Sequence, residues 1–240
     1  MRDALVLPFS QEELLVVTSD NSGAIGTKEQ DTVKVPYKTV SYYSFRVAVM
    51  ECMVSGAYPI SVIIQNFCGK EAWDELVSGI QMGLSELHME NVPITGSTET
   101  NFSLTQSALG ITVIGKKSSS NSVKQKNLQH QNVALIGLPL IGDQVVYESE
   151  EIAPLSLFKD ISEIKDLLIW PVGSKGVLHE LERIFPELDR DKIMSSSNID
   201  FLKSGGPSTS FIIVYPSQLE GSIMQMAGKH FRKIPEVTTY

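Results

Sequence analysis

Short apolar runs alternate with segments of helical spacing along the chain, and this alternation restricts the fold more than any single motif does. In the first half, the spacing of apolar side chains predicts helices at residues 37–56 and 70–89. The runs around them have the length and β-branched content of strands. These runs are residues 4–7, 13–19, 32–37, 60–67 and 106–115. The order β-β-β-α-β-α-β predicts an α+β fold with helices packed on one face of a sheet.

A polar, serine-rich segment at residues 116–132 interrupts this pattern and predicts a linker or an exposed loop. Strand and helix patterns resume after it, so we expect a second α/β unit of similar length. Its predicted strands are residues 133–140, 166–172 and 211–216, and its predicted helices are residues 174–185 and 217–231. We therefore predict an N-terminal sheet domain over residues 1–118 and a C-terminal α/β sandwich over residues 119–240.

Composition narrows the possible functions. The 240 residues carry a formal net charge of −8 and no large basic cluster, which argues against a nucleic-acid-binding surface. Cys52 and Cys68 have no CxxC or Cys/His spacing, so a zinc site is not expected, and two thiols without a disulfide framework suit a reducing compartment. The N-terminus lacks the pattern of a signal peptide, and no apolar run is long enough to span a bilayer. We expect a cytoplasmic protein with no membrane partner.

Four polar clusters interrupt the apolar structure of the first unit. Asp3 precedes the first strand, and Glu51 lies in the first predicted helix. The stretch "SDNSGAIGTK" (19–28) and the stretch "TGSTETN" (95–101) combine carboxylates with glycines and hydroxyls. Transfer of a phosphoryl group requires carboxylates to hold Mg²⁺, and backbone amides and a lysine to bind the phosphates. Glycines let the backbone approach a phosphate closely.

Simpler interpretations of the same residues remain open. "SDNSG" also suits a turn at the end of a strand, and a single lysine such as Lys28 is usually a solvated charge. "GAIGTK" does not have the spacing of a GxxxxGK[ST] phosphate loop. A purely structural interpretation is less favoured for Glu51, a carboxylate inside an apolar helix, because buried carboxylates are rare without a partner.

The order of these motifs resembles that of the aminoimidazole ribonucleotide synthetase-like ATP-binding superfamily over nearly the full length. This group includes thiamine-monophosphate kinase, selenophosphate synthetase and a hydrogenase maturation factor. "TSDNSGAIGTK" is similar to the superfamily's first strand-end motif, and "VPITGSTETN" is similar to its Gly-Gly-Asp/Glu-Thr turn. "VAVMECMVSGAYP" is similar to its Asn-Asp helix and Gly-Ala-x-Pro element, and the glycine, alanine and proline of that element are the most specific match.

The resemblance implies an Mg-ATP site in the first domain and a homodimer whose N-terminal sheets pair into a barrel. It implies catalytic roles for Asp20, Lys28 and Glu51. The implied metal ligands are Asp3, Asp20, Glu51 and Glu99. The implied ATP-binding residues are Asn21, Gly23, Gly26, Thr27, Lys28, Gly96, Ser97 and Thr98.

The chain departs from the superfamily's motifs at several positions. Met50-Glu51 stands where Asn-Asp is usual, and Ser97 stands where the acid of the turn is usual. In a chain this short, the motifs are most similar to those of the α-ribazole kinases, which implies transfer of the ATP γ-phosphate to the 5′-hydroxyl of α-ribazole. Two alternatives are an ATP-dependent ligase or cyclase of the same superfamily and an ATP-binding regulatory protein without catalysis.

Overall fold

The computed structural model describes residues 4–120, 131–195, 199–235 and 237, and these residues form two compact units, Met1–Val123 and Lys124–Tyr240. In the first unit the strands are β1 (Leu5–Pro8), β2 (Glu13–Gly23), β3 (Ile25–Gly26), β4 (Val33–Lys34), β5 (Tyr58–Asn66), β6 (Ile94–Thr98) and β7 (Ala108–Ser118). Its helices are α1 (Tyr37–Val54) and α2 (Trp73–Glu86).

A five-stranded sheet organises the first unit, in the order β1-β2-β7-β5-β6. All neighbouring strands are antiparallel except β5 and β6, which are parallel. Helix α1 packs on one face of this sheet, against β2, β5 and β7, and α2 packs against α1. We call the face that carries α1 the covered face and the opposite face the open face. Because α1 lies between the sheet and α2, its buried residues, among them Phe45, Val49 and Cys52, surround the helix rather than form one stripe.

The second unit is built on a four-stranded antiparallel sheet in the order β11-β8-β10-β9. Its strands are β8 (Asn132–Ile136), β9 (Leu168–Pro171), β10 (Phe211–Tyr215) and β11 (Phe231–Ile234). Its helices are α3 (Gln144–Tyr147), α4 (Leu155–Ser162), α5 (Gly176–Ile184), α6 (Arg190–Ser195) and α7 (Glu220–Ala227). Leu135, Leu181, Phe201 and Ile212 belong to a buried apolar cluster of this unit.

Several predicted elements differ from the structure. The strand predicted at residues 32–37 shortens to Val33–Lys34, because Pro36 precedes the first turn of α1. The turn predicted at residues 95–101 is largely strand β6. The serine-rich segment is shorter than predicted, since β7 continues to Ser118 and β8 begins at Asn132, while residues 121–130 lie outside the described residues. Helices α3, α4 and α6 and strand β11 were not predicted.

None of the helices in the described part of the chain combines the length and the apolar composition that a membrane-spanning helix requires.

Candidate functional site

Asp20 lies near the end of β2 and points toward α1. Side chains alternate between the two faces of a strand, and Thr18 marks the covered face because its hydroxyl donates to the carbonyl of Ala48 at 2.7 Å. Two residues later, the Asp20 carboxylate accepts a hydrogen bond from Ser44, one turn earlier in α1. Burial raises the pKa of Asp20 to about 6, although the hydrogen bonds from Ser44 and from the backbone of Asn21 oppose the rise.

Lys28 and Asp31 brace the loop that follows β2. The Lys28 amino group donates to the carbonyl of Phe67 at 2.9 Å and to that of Gln106 at 3.4 Å. The buried Asp31 carboxylate accepts hydrogen bonds from the Lys28 amide at 2.9 Å and from the Ser107 amide and hydroxyl at 2.6 and 2.7 Å. Burial alone would raise the pKa of Asp31, but these hydrogen bonds hold it below its ordinary value.

This braced loop also explains why Gly26 is a glycine. A Cβ atom at Gly26 would stand 2.6 Å from the Ser107 hydroxyl and 2.9 Å from an Asp31 carboxylate oxygen. Its φ of 153° is also a value that residues with a side chain rarely adopt. Thr27, the next residue, is exposed. Gly26 therefore has a packing role, in addition to the ATP-binding role that the motif predicts.

A polar row crosses the open face of the sheet. Asn21 in β2 pairs with Gly110 in β7, Gly110 pairs with Gln65 in β5, and Gln65 pairs with Ser97 in β6. The Gln65 side chain lies over Gly110, where an added Cβ would stand 2.6 Å from the amide oxygen. The row crosses four neighbouring strands, so its ends are about 14 Å apart. The row is therefore long enough to offer neutral hydrogen-bonding groups to an extended ligand.

Two hydroxyl side chains lie beside the polar row on the same face of the sheet. Ser19 and Thr112 are opposite each other on β2 and β7, and their hydroxyls are 3.1 Å apart. Both residues lie on the open face, whereas Asp20 lies on the covered face. The structure thus places the predicted carboxylate and the predicted neutral ligands, Asn21 and Ser97, on opposite sides of the sheet. Gly23, which ends β2, is exposed.

The predicted residues of β6 lie at the edge of the sheet. Gly96 lets β6 approach β5, because a Cβ there would be 2.2 Å from the Ile64 carbonyl oxygen. The Thr98 hydroxyl accepts a hydrogen bond from Asn66 at 3.1 Å. The Glu99 carboxylate accepts the backbone amides of Asn101 and Phe102, at 2.6 and 3.3 Å, and so closes its own turn. Glu99 therefore has a local structural role.

The structure does not bring the predicted carboxylates together. Glu51 is seven residues beyond Ser44 in α1, which places it about 10 Å further along the helix from the partner of Asp20. Asp20 and Glu99 are carried by β2 and by the turn after β6, with two strands between them. Asp3 lies outside the described residues. Among the residues described, no group of three or more His, Cys, Asp or Glu side chains could hold a metal ion.

A single carboxylate still fits the chemistry of Mg-ATP. Mg²⁺ is commonly held by one or two protein carboxylates together with phosphate oxygens and water. Asp20 is partly buried, has a raised pKa and projects from the end of a strand, which are properties typical of a functional carboxylate. Asp20 is therefore the described residue that fits a magnesium ligand.

Sequence reasoning missed several residues that shape this region. Ser44 and Ser107 hold the carboxylates of Asp20 and Asp31, and both are far from their partners in sequence. Gln65 joins the polar row through strand pairing alone. The role of Asn66 in a turn could have been predicted, because an asparagine with a glycine three residues later is typical of a turn that a side chain stabilises. In the structure, the Asn66 side chain accepts a hydrogen bond from the Cys68 amide and donates one to the Gly69 carbonyl.

Comparison with known proteins shows the fold. No protein-family model matches the sequence, and no curated protein matches it. The crystal structure of thiamine-monophosphate kinase from Stenotrophomonas maltophilia K279a is similar, with a TM-score of 0.59 and 13% identity over 97% of this chain and 88% of that chain. The hydrogenase maturation protein HypE is also similar, with a TM-score of 0.59 and 12% identity over 98% of this chain and 82% of that chain.

A third similar structure is T. maritima PurL complexed with ATP, with a TM-score of 0.53 and 14% identity. The likeness covers 96% of this chain but 42% of PurL, so this chain spans less than half the length of that protein. All three proteins have the fold that the motifs of this sequence predicted. The chain therefore has the mixed α/β fold of these three proteins.

Proposed function

We propose that this protein is an ATP-dependent phosphotransferase that uses Mg-ATP. The observation that carries the proposal is the likeness of its fold, along almost the whole chain, to a thiamine-monophosphate kinase and to part of PurL, which was crystallised with ATP. The raised pKa of Asp20 supports the same conclusion, because carboxylates with a perturbed pKa are concentrated at functional sites.

Asp20 would take one coordination position of the magnesium ion. Its pKa of about 6 leaves it ionised at neutral pH and therefore able to bind a cation. Bound Mg²⁺ supplies neutralisation of charge on the phosphate oxygens. Glu51 is not included in this proposal, because it lies about two turns of α1 away from Ser44.

Lys28 would contact a phosphate oxygen through one N–H donor of its ammonium group. An ammonium group has three N–H donors, and two of those of Lys28 reach the carbonyls of Phe67 and Gln106. Among the described residues, its third donor has no acceptor and would be available for a phosphate oxygen. The two carbonyl contacts also hold the amine in place, so it would need little reorganisation when a ligand binds.

We further propose that the acceptor is a nucleoside-like alcohol, with α-ribazole as the first candidate. Its 5′-hydroxyl would receive the γ-phosphate and give α-ribazole 5′-phosphate. The support for this choice is the resemblance of "SDNSG", "VSGAYP" and "TGSTE" to the motifs of α-ribazole kinases.

We also propose that two copies of the chain pair through the open face of the first unit. This face carries apolar side chains at one end, where Leu5 is 56% exposed, Leu7 41% and Tyr58 57%. Leu5 and Leu7 lie together on β1, and Tyr58 lies beyond Lys116, which forms an ion pair with Glu13. Exposed apolar groups that lie together mark interaction surfaces. A second copy of the same sheet is the occupant that the superfamily resemblance favours.

The decisive experiment incubates purified protein with Mg-ATP and α-ribazole, and measures ADP together with the mass of the product. Thiamine monophosphate and a panel of nucleosides serve as competing acceptors. We expect ADP and a product heavier by one phosphate group from α-ribazole alone. Asp20→Asn should lower turnover by at least about a hundredfold, because it removes a charged metal ligand, whereas the same change at exposed Asp160 should leave turnover unchanged.

Other results would separate the alternatives. ADP and free phosphate with a newly formed amide or ring product would identify a ligase or cyclase. ATP binding without ADP formation for any acceptor would identify a regulatory protein. Normal turnover by a folded Asp20→Asn variant would remove Asp20 from the metal site.

A further inference from the structure

The second unit contains a cavity of about 450 Å³ that the proposed ATP chemistry does not use. This volume lies within the range of pockets that hold small molecules, about 300–1,000 Å³. Leu138, Pro139 and Ile199 supply apolar wall, and Asp200, Lys203, Arg232 and Lys233 supply charged groups. The cavity therefore combines an apolar surface with three cationic side chains and one carboxylate.

Neighbouring groups hold two of the three cations in place. Arg232 donates to a Glu151 carboxylate oxygen at 2.5 Å, and its other terminal nitrogen donates to the carbonyls of Lys229 and His230. Lys233 donates to both carboxylate oxygens of Glu220, at 2.9 and 2.7 Å. These contacts use three of the five N–H donors of Arg232, so two remain unused among the described residues.

Lys203 provides the third cation of the cavity. Among the described residues, no hydrogen-bond acceptor or carboxylate contacts its ammonium group. Its backbone, by contrast, is well anchored, since its amide donates to the Asp200 side chain at 3.2 Å and its carbonyl packs against Gly176. The Asp200 carboxylate also accepts the Leu202 amide at 3.2 Å, which fixes that carboxylate in its own turn.

The arrangement selects a ligand by its chemistry. Cationic donors beside an apolar wall are stabilised when an anionic group accepts their hydrogen bonds and the rest of the ligand covers the apolar surface. We propose that this cavity binds a small amphipathic anion, in which an apolar body carries one phosphate or carboxylate group. The anionic group contacts Lys203 and the unused donors of Arg232, and the body contacts Leu138, Pro139 and Ile199.

Calorimetric titration in the absence of ATP and Mg²⁺ tests this inference independently of the proposed kinase activity. Phenyl phosphate and benzoate serve as probes that share an apolar body and differ in the anionic group. Inorganic phosphate lacks the body and benzyl alcohol lacks the charge. We expect at least one of the two complete probes to bind at millimolar or lower concentration and more tightly than either partial probe. The tighter of the two identifies the preferred anionic group.

A pair of variants locates the binding site. Lys203→Gln removes this cation and should weaken binding about tenfold, the loss expected for one charged hydrogen bond. Lys165→Gln makes the same change of charge at an exposed position of the second unit that does not line the cavity. It should leave the affinity unchanged. Equal loss in both variants, or no binding of either complete probe, would overturn the inference.

A measurement on the unmodified protein keeps the test independent of variant folding. Binding of a charged group to Lys203 and Arg232 weakens as salt screens the charges. We expect the affinity for the tighter probe to fall as sodium chloride is raised. An affinity that does not change with salt would contradict an anionic contact.

Discussion

Asp20 carries its carboxyl group on the covered face of the sheet, and this placement destabilises the ionised form. Its pKa rises from 3.8 to about 6 in the folded protein, so the folded state keeps the proton to a higher pH than the unfolded chain does. Asp20 therefore lowers the free energy of unfolding as the pH rises from about 4 to about 6, by up to about 3 kcal/mol. Above that range the cost stays constant.

This cost predicts how an uncharged replacement behaves. Asn has nearly the shape of a protonated Asp, so Asp20→Asn should raise the melting temperature at pH 8 and change it little at pH 4. Thermal unfolding in metal-free buffer at both values measures the difference. Asp160→Asn, an exposed control, should show no such dependence on pH. A lower melting temperature at pH 8 for Asp20→Asn would contradict the assignment of burial as the cause.

At the residue scale, the sequence indicates which side chains have functional chemistry, but it does not predict which residues of the fold contact them. The superfamily resemblance of "TSDNSGAIGTK" implied that Asp20 is a functional carboxylate. Its partner Ser44 could not be predicted, because the contact depends on how α1 lies across β2. Glu51 was predicted as a ligand from its motif, yet its distance along α1 follows from helix geometry once Ser44 is known to face Asp20.

At the scale of elements, strand β6 was not predicted, because its residues are of the types that usually form turns. Gly96, Ser97 and Thr98 have the composition of a turn, but they pair with β5 at the edge of the sheet. Longer apolar strands such as β2, β5 and β7 were predicted, since their length and β-branched content are independent of partners. Edge strands have fewer buried positions and so leave a weaker pattern in the sequence.

The contact between β6 and β5 predicts a strong effect of one methyl group. Gly96→Ala would place Cβ 2.2 Å from the Ile64 carbonyl oxygen, so β6 must move away from β5. We expect a loss of about 1–3 kcal/mol in the free energy of unfolding, measured by denaturant titration. In Gly221→Ala, within α7, the added Cβ meets nothing within 4 Å. That control should stabilise the protein by up to about 1 kcal/mol. Equal effects would refute the close approach.

At the scale of the whole molecule, the pattern of elements predicts two units, whereas the pairing of two copies is implied by the superfamily resemblance alone. A pattern of strands and helices on both sides of a polar segment indicates two cores, and the structure divides into two compact units. Pairing between copies depends on which face of a sheet remains uncovered, and that follows from the placement of α1. The residues of the open face are therefore defined by the strand order together with the position of α1.

The apolar end of the open face predicts the oligomeric state. We expect the unmodified protein to sediment as a dimer at micromolar concentration. Leu5→Glu or Leu7→Glu should sediment as a monomer, because burying a carboxylate in the contact costs the free energy of its hydration. Leu202→Glu, at a leucine that is 61% exposed in the second unit, should remain a dimer. A monomeric unmodified protein would contradict the pairing.

The eleven-residue ladder between β2 and β7 has a consequence for how this protein can change in evolution. It pairs every residue from Glu13 to Gly23 with a partner from Ser118 to Ala108. A single inserted or deleted residue inside β2 would exchange the two faces of the strand, so that Asp20 would reach the open face and Asn21 the covered one. Substitutions can therefore accumulate within β2, whereas changes in its length should be confined to its ends or occur two residues at a time.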